Sequence, residues 1–259
     1  MQPKGSSSNE FPPPTEGRET LRGKTAFITG AARGLGAAIA EALAEAGARV
    51  VLADVNGQLA EAQAASLAER GADAWSMTVD IRHPEECASA ITEVAAKHGR
   101  LDILVNNAAI DVTAPLLELQ VRDWQRVLAT NLYAPLVLCK HAAEVMSAQP
   151  TGGHVVNIAS TASKRAWPNA SAYHATKWGL LGMSHALHAE LRAHRIRVTA
   201  VVAGGMRTPF LLDRFPDIDV DRLQEPRNVA QAVRFVLEQP EGTCIPEIMV
   251  LPSNEGSWP

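Results

Sequence analysis

Seven short, continuously apolar runs alternate with longer amphipathic stretches along most of the chain, and no other feature narrows the possible fold as far. The runs fall at 24–29, 49–54, 74–80, 101–106, 154–160, 196–202 and 248–251. Segments of helical periodicity lie between them at 34–46, 58–70, 84–98, 121–148, 171–194 and 228–238. Gly47, Gly71 and Gly99 stand where the first three helices should stop, and Pro84 where the third should start. A strand that is apolar at every position, rather than at every second one, must be covered on both faces. Alternating such strands with helices predicts an α/β protein, with a doubly wound parallel sheet of seven strands and helices on both sides. No internal repeat is visible, and a single domain over 21–259 is expected. Residues 1–20 carry Ser6–Ser7–Ser8 and Pro12–Pro13–Pro14 with little apolar content, and read as a disordered tail.

Composition excludes several function classes. Lys and Arg number 24 against 28 Asp and Glu, a formal charge of −4. That balance argues against a nucleic-acid binder and against a polybasic membrane-surface protein. No apolar stretch approaches the roughly 18–20 residues that span a bilayer, and the N-terminus lacks the apolar run of a signal peptide. The three cysteines, Cys87, Cys139 and Cys244, are too scattered for a disulfide framework or a zinc cluster. The histidines at 154, 185, 188 and 194 have no carboxylate or thiol at ligand spacing, so no metal is assigned. A cytoplasmic protein acting on a small molecule is expected.

The first apolar run leads directly into Thr29-Gly30-Ala31-Ala32-Arg33-Gly34-Leu35-Gly36 and then a helix. Glycines between strand and helix let the backbone turn sharply and approach a pyrophosphate, whose charge the first amides of the helix can meet. Eighteen residues past Gly36, Asp54 ends the second run. A carboxylate there can accept hydrogen bonds from the adenosine ribose and repels a 2′-phosphate, which favours NAD. Arg33 pulls the other way, since a cation can meet a 2′-phosphate. Asp54 outweighs it, so NAD is expected over NADP.

At the other end of the chain, Tyr173 and Lys177 lie four residues apart at the start of a helix, on one face. Ser160 ends the preceding strand thirteen residues upstream of Tyr173, and Asn131 lies in the helix before that strand. The glycine spacing, Asn106-Asn107-Ala108-Ala109 and the Asn131, Ser160, Tyr173, Lys177 set together resemble the short-chain dehydrogenase/reductase family, over about residues 21–252. The resemblance implies a Rossmann-like sheet and hydride transfer between a nicotinamide cofactor and a secondary alcohol or ketone. It further implies Tyr173 as acid–base and Ser160 as donor to the substrate oxygen. Lys177 would support Tyr173 and hold the nicotinamide ribose, and Asn131 would order a water between Lys177 and solvent. Gly30, Arg33, Gly34, Leu35, Gly36, Asp54, Asp80, Ile81, Asn107 and Thr208 become cofactor contacts, with Asp80 and Ile81 at the adenine and Thr208 at the carboxamide. A homodimer or homotetramer is the implied assembly.

Chemistry explains these residue types. A free tyrosine, with a pKa near 10, is a poor base at neutral pH, and Lys177 together with the positive nicotinamide ring should lower it toward the working range. The chain departs from the family at Ala109 for Gly, Ala203 for Pro and Thr199 for Asn, and it ends without the usual Gly-rich stretch. Residues 204–225 read as a lid over the substrate. Its Met206, Phe210, Leu211, Leu212 and Phe215, with Trp167, suit a hydrophobic alcohol or ketone, or equally pack the lid onto the body. Arg207 and Arg214 could meet an anionic substrate. His174 and Asp102 read as structural, Ser163 as a polar loop residue and Ser171 as a helix cap. An NADP-dependent carbonyl or 3-oxoacyl reductase and a dinucleotide-sensing binding protein without turnover are the alternatives.

Overall fold

The computed structural model describes residues 20–255, so the predicted tail, apart from Thr20, lies outside the described residues, as does the end at Trp258 and Pro259. The first half runs β1 (Thr25–Thr29), α1 (Gly34–Glu45), β2 (Arg49–Asp54), α2 (Gly57–Glu69), β3 (Ala74–Thr78), α3 (Pro84–His98) and β4 (Ile103–Asn106). Then follow α4 (Val121–Leu128), α5 (Ala134–Ser147), β5 (Gly153–Ser160), α6 (Ser171–Leu191), β6 (Ile196–Ala203), α7 (Pro209–Leu212), α8 (Pro226–Leu237) and β7 (Glu247–Val250). All seven strands pair in parallel in the order β3-β2-β1-β4-β5-β6-β7. This is the predicted doubly wound, Rossmann-like sheet. The direction of winding reverses between β1 and β4, and a crevice opens there at the carboxyl ends of the strands.

Alternate residues of each central strand feed two separate cores, as the pleat requires. Ala26 and Ile28 of β1 and Val105 of β4 face α1 and α8, whereas Phe27 and Leu104 face α3 and α5. Phe27, Ile28 and Leu104 are fully buried, and each is worth roughly 1.5–3 kcal/mol relative to an exposed side chain. Two-sided burial is the reason these strands carry no polar alternation. The edge strand β3 is shielded less. Its Trp75 stays 42% exposed, covered in part by the Lys97 ammonium 3.9 Å from the ring centroid.

Three expectations need correction. The helix expected at 121–148 is not uniform, because Ala129–Tyr133 form a wider π turn between α4 and α5. Pro135 supplies the reason: it has no N–H to offer the Asn131 carbonyl four residues back, and its ring crowds that carbonyl. β3 ends at Thr78, leaving Asp80 in the following turn. Ser171 is the first residue of α6 rather than its cap, and Ala170 in the cap position offers no side-chain bond. Conversely β6 continues through Ala203, where the backbone pairs with Val250 of β7, as the absence of a proline there permits.

His154 of β5 occupies the sheet interior, 2% exposed. Its Nε2 lies 2.8 Å from the Thr199 hydroxyl, which itself donates to the Ile245 carbonyl at 2.7 Å. The hydroxyl proton being so committed, Nε2–H is the donor and the ring is neutral. Burial pushes its pKa from the ordinary 6.5 down to about 3. Below pH 6.5 the unfolded chain takes up a proton here that the native chain refuses, so this site costs stability as pH falls toward 3. Between pH 7 and pH 5, wild type should lose about 2 kcal/mol more stability than His154→Gln in urea denaturation. Parallel pH profiles would count against a neutral buried ring.

Candidate active site

The glycine turn depends on close backbone approach at the switch point. Gly30 and Gly34 take positive φ of 65° and 61°. At Gly36 a Cβ would sit 2.1 Å from the Gly30 carbonyl oxygen and 2.6 Å from Asn107 Nδ2. Asn107 in turn donates to the carbonyls of Thr29 and Gly30 at 2.9 and 3.1 Å. The Thr29 hydroxyl accepts from the amides of Asn107 and Ala108 at 3.0 and 3.1 Å, tying the end of β1 to the end of β4. Neither brace was foreseen from the sequence, although Thr29 and Asn107 stood inside the quoted motifs.

Asp54 reaches back to this turn. One carboxylate oxygen accepts from Ala32 N–H at 3.1 Å and the other from Asn56 N–H at 2.9 Å, which fixes its orientation at the rim. Arg33 extends into solvent and pairs with Asp213 at 3.3 Å. Asp80 is gripped by the Arg82 guanidinium, which holds its carboxyl below the usual range. A single cavity of about 1360 Å³ joins Gly30, Arg33, Gly34 and Leu35 to Asp54, Asp80, Ile81, Asn107 and Thr208, and continues to Ser160, Tyr173 and Lys177. Gly36 lies beneath it as a packing contact. A turn free of Cβ atoms at its closest approach, a helix N-terminus and an oriented carboxylate fit a dinucleotide.

At the far end of the cavity, Ser160 and Tyr173 line the same wall, near enough for the Ser160 hydroxyl to act on the phenol. Ser160 also accepts from Ala162 N–H at 3.2 Å, and the buried Ser163 donates to the Ser160 carbonyl. His174 braces the loop behind them: Nδ1 lies 2.9 Å from the Ala162 carbonyl, and Nε2 accepts from Trp167 N–H at 3.1 Å. Lys177 is 2% exposed, and its ammonium donates to the Ile158 carbonyl at 2.7 Å and lies 5.6 Å from the Tyr173 ring centroid. Asn131 stands behind the cavity wall. Its amide exchanges hydrogen bonds with the Ile110 backbone at 2.8 and 2.9 Å and reaches Thr176 at 3.2 Å.

The electrostatics differ from expectation. Burial lowers Lys177 to about 8. Burial also pushes Tyr173 up to about 12, only partly offset by the Ser160 hydroxyl. The protein's own groups thus raise Tyr173 rather than lower it, because desolvation penalises phenolate and Lys177 is turned to a carbonyl.

The segment expected as a lid is closed at its base. Arg207 N–H donates to the Gln224 carbonyl and Gln224 N–H to Gly205, at 2.9 and 3.1 Å. Thr208 packs beside Gly34, with its Cβ 3.5 Å from where a Gly34 Cβ would stand. The Phe210 ring lies 5.8 Å from the Tyr173 ring. Arg207 is held by Glu225 and the Val220 carbonyl, and Arg214 by Asp111, so both arginines already have carboxylate partners. Asp111, unnoticed in the sequence, lines the cavity with Arg214 and Thr113, which makes this wall less apolar than expected. Among the described residues, no group of three or more metal-ligating side chains is close enough to hold an ion, and no helix is long and apolar enough to cross a membrane.

The family model for short chain dehydrogenases matches residues 24–219. A short chain dehydrogenase/reductase of Colletotrichum higginsianum, dpchG, is 38% identical over 76% of this chain and 74% of its own. A D-threitol dehydrogenase of Mycolicibacterium smegmatis is 41% identical over 70% of this chain and 69% of its own. Among solved structures, a metagenomic short-chain oxidoreductase in complex with NADP aligns with a TM-score of 0.80 at 36% identity, covering 90% of this chain and 99% of that one.

Because the Cβ at Gly36 would meet backbone that cannot swing aside, Gly36→Ala should destabilise the fold by about 1–3 kcal/mol and weaken NADH binding. Thermal melting and a fluorescence titration would measure both. An unaltered melt with unaltered affinity would show that the turn has slack.

Proposed function

The chain belongs to the short-chain dehydrogenase/reductase family, and we propose that Tyr173 is its acid–base residue, aided by Ser160, Lys177 and Asn131, and that NAD(H) is its preferred cofactor. It is an NAD(P)-dependent oxidoreductase of small alcohols or ketones. The observation that carries the assignment is that Ser160, Tyr173 and Lys177 line one end of the cavity whose other end is the glycine turn and Asp54. A nicotinamide dinucleotide bound there would be held by Gly30, Gly34, Leu35, Asp54, Asn107 and Thr208, and would supply the hydride acceptor or donor and, when oxidised, a positive charge.

Each side chain then has a task. Ser160 donates to the substrate oxygen and shares its developing charge. Tyr173 gives its proton to that oxygen in ketone reduction and takes it back in alcohol oxidation. Its raised pKa suits the acid role directly, while oxidation needs the phenolate and gains from any nearby positive charge. Lys177 supplies such a charge below about pH 8 and has donors left for a ribose. Asn131 acts through its backbone, since its amide is taken up by Ile110 and Thr176 and Pro135 cannot donate to its carbonyl. That carbonyl is the group we assign to the water leading to Lys177.

NAD over NADP rests on Asp54, whose carboxylate is fixed at the cavity rim, and on Arg33, whose exposed pairing with Asp213 turns it toward the lid segment. The NADP complex of the metagenomic relative keeps NADP as the second reading. A cytoplasmic homo-oligomer fits the exposed Tyr133, Leu136 and Trp178 on neighbouring helices, 52%, 44% and 53% exposed.

Tyr173→Phe should bind NADH within about two-fold of wild type and lose at least about 10²-fold in kcat. In wild type, alcohol oxidation should speed up from pH 7 to pH 9 as the phenolate fraction grows, while Tyr173, raised to about 12, stays protonated for ketone reduction over the same range. Retained turnover in the variant would remove Tyr173 from the chemistry. NADH should bind at least about ten-fold more tightly than NADPH, with Asp54→Ala narrowing the gap. A wild-type preference for NADPH would reverse the cofactor assignment.

A further inference from the structure

Asp111 lies five residues beyond the end of β4, and its side chain is only 6% exposed. Its Oδ2 is paired with the Arg214 guanidinium, which comes from the lid segment 103 residues later. Arg214 is itself pinned. Nε donates to the Phe210 carbonyl at 2.7 Å, and the guanidinium lies 4.2 Å from the Phe210 ring centroid. So held, Arg214 serves one oxygen of Asp111. The other, Oδ1, is buried and finds no donor among the described residues. A buried carboxylate oxygen without a hydrogen bond is costly, and such exceptions need a cause.

The cavity supplies one. Asp111 and Arg214 line the same cavity as Tyr173, and Arg214 lies 4.2 Å over the Phe210 ring, which is itself 5.8 Å from the Tyr173 ring; the pair acts electrostatically on Tyr173 in opposite directions. An anionic substrate would find the only cation of this pair already neutralised. A purely apolar one would seal Oδ1 in without a donor. A neutral substrate with a further hydroxyl would complete it with a charge-assisted bond. We infer that Asp111 determines specificity, selecting neutral diols or short polyols whose second hydroxyl donates to Oδ1 while Arg214 holds Oδ2. Because Oδ1 is closed off here, the cavity-lining segment that carries Arg214 must shift as substrate enters. The inference rests on the assignment of Tyr173 as the reacting end.

The test compares kcat/KM for 2,3-butanediol, 2-butanol and 3-hydroxybutyrate with NAD in wild type, Asp111→Leu and Asp111→Asn. Wild type should favour the diol over 2-butanol by at least about ten-fold, the effect of one hydrogen bond to a charged group. That ratio should fall close to one in Asp111→Leu and to an intermediate value in Asp111→Asn. A merely structural role for Asp111 would lower both alcohols together and leave the ratio intact, which would overturn the inference. So would equal use of diol and 2-butanol by wild type, or preference for the hydroxy acid. Turnover of no alcohol with either NAD or NADP, in protein that still binds NADH, would instead bring down the hydride-transfer reading itself.

Discussion

The ends of β1 and β4 are held together by one threonine hydroxyl and one asparagine amide, and the cavity is built outward from that junction. Thr29 accepts from two amides of the β4 loop, and Asn107 donates to two carbonyls of the glycine turn. α1 can start against the turn only because position 36 has no Cβ. The brace turns the carboxyl edge of a twisted sheet into a fixed floor. Backbone polar groups that a crevice would otherwise leave unpaired are satisfied inside the protein, while the cavity side is left open.

From this floor the two ends of the cavity differ in character. The Asp54 end is polar and partly solvated, with its carboxylate oriented by two backbone amides. The Tyr173 end is dry. Burial there opposes every charge, raising the tyrosine and lowering the lysine, so their ordinary pKa values are drawn apart from both sides. A phenol kept protonated beside a serine hydroxyl is ready to give a proton. Asp111 and Arg214 add a neutral but strongly dipolar wall to the same space, carried half by the sheet and half by the segment after β6.

The helix pair α4–α5 shows how a local rule serves a distant site. Pro135 would break an ordinary helix, and here the chain absorbs it by widening one turn around Asn131. The widened turn carries the Asn131 side chain to the Ile110 backbone, where it secures the loop that bears Asp111. A backbone irregularity thereby positions one wall of the cavity, to whose lining the turn itself contributes Thr130. The proline that announces it was legible in the sequence, but its consequence was missed because periodicity alone runs straight through it.

Much of the molecule was legible beforehand, and for local reasons. Continuous apolarity requires two-sided burial, helical periodicity requires a covering layer, and glycines mark stops and turns, so a doubly wound parallel sheet followed with few alternatives. Gly30 to Gly36, Asp54, Ser160, Tyr173 and Lys177 could be picked out because the chemistry they serve demands fixed spacing along one element or between adjacent ones. Asp111 and Arg214 obey no such spacing. They stand 103 residues apart, on segments with no periodic pattern, and only folding brings them into contact. The sign of the Tyr173 shift was likewise hidden, because desolvation is a property of everything packed around a group and not of its neighbours in sequence. The sequence by itself determined the sheet, the glycine turn and which motif residues gather at the cavity; the tertiary structure alone decided their electrostatics and the polar wall opposite them, since both arise from contacts between residues far apart in the chain.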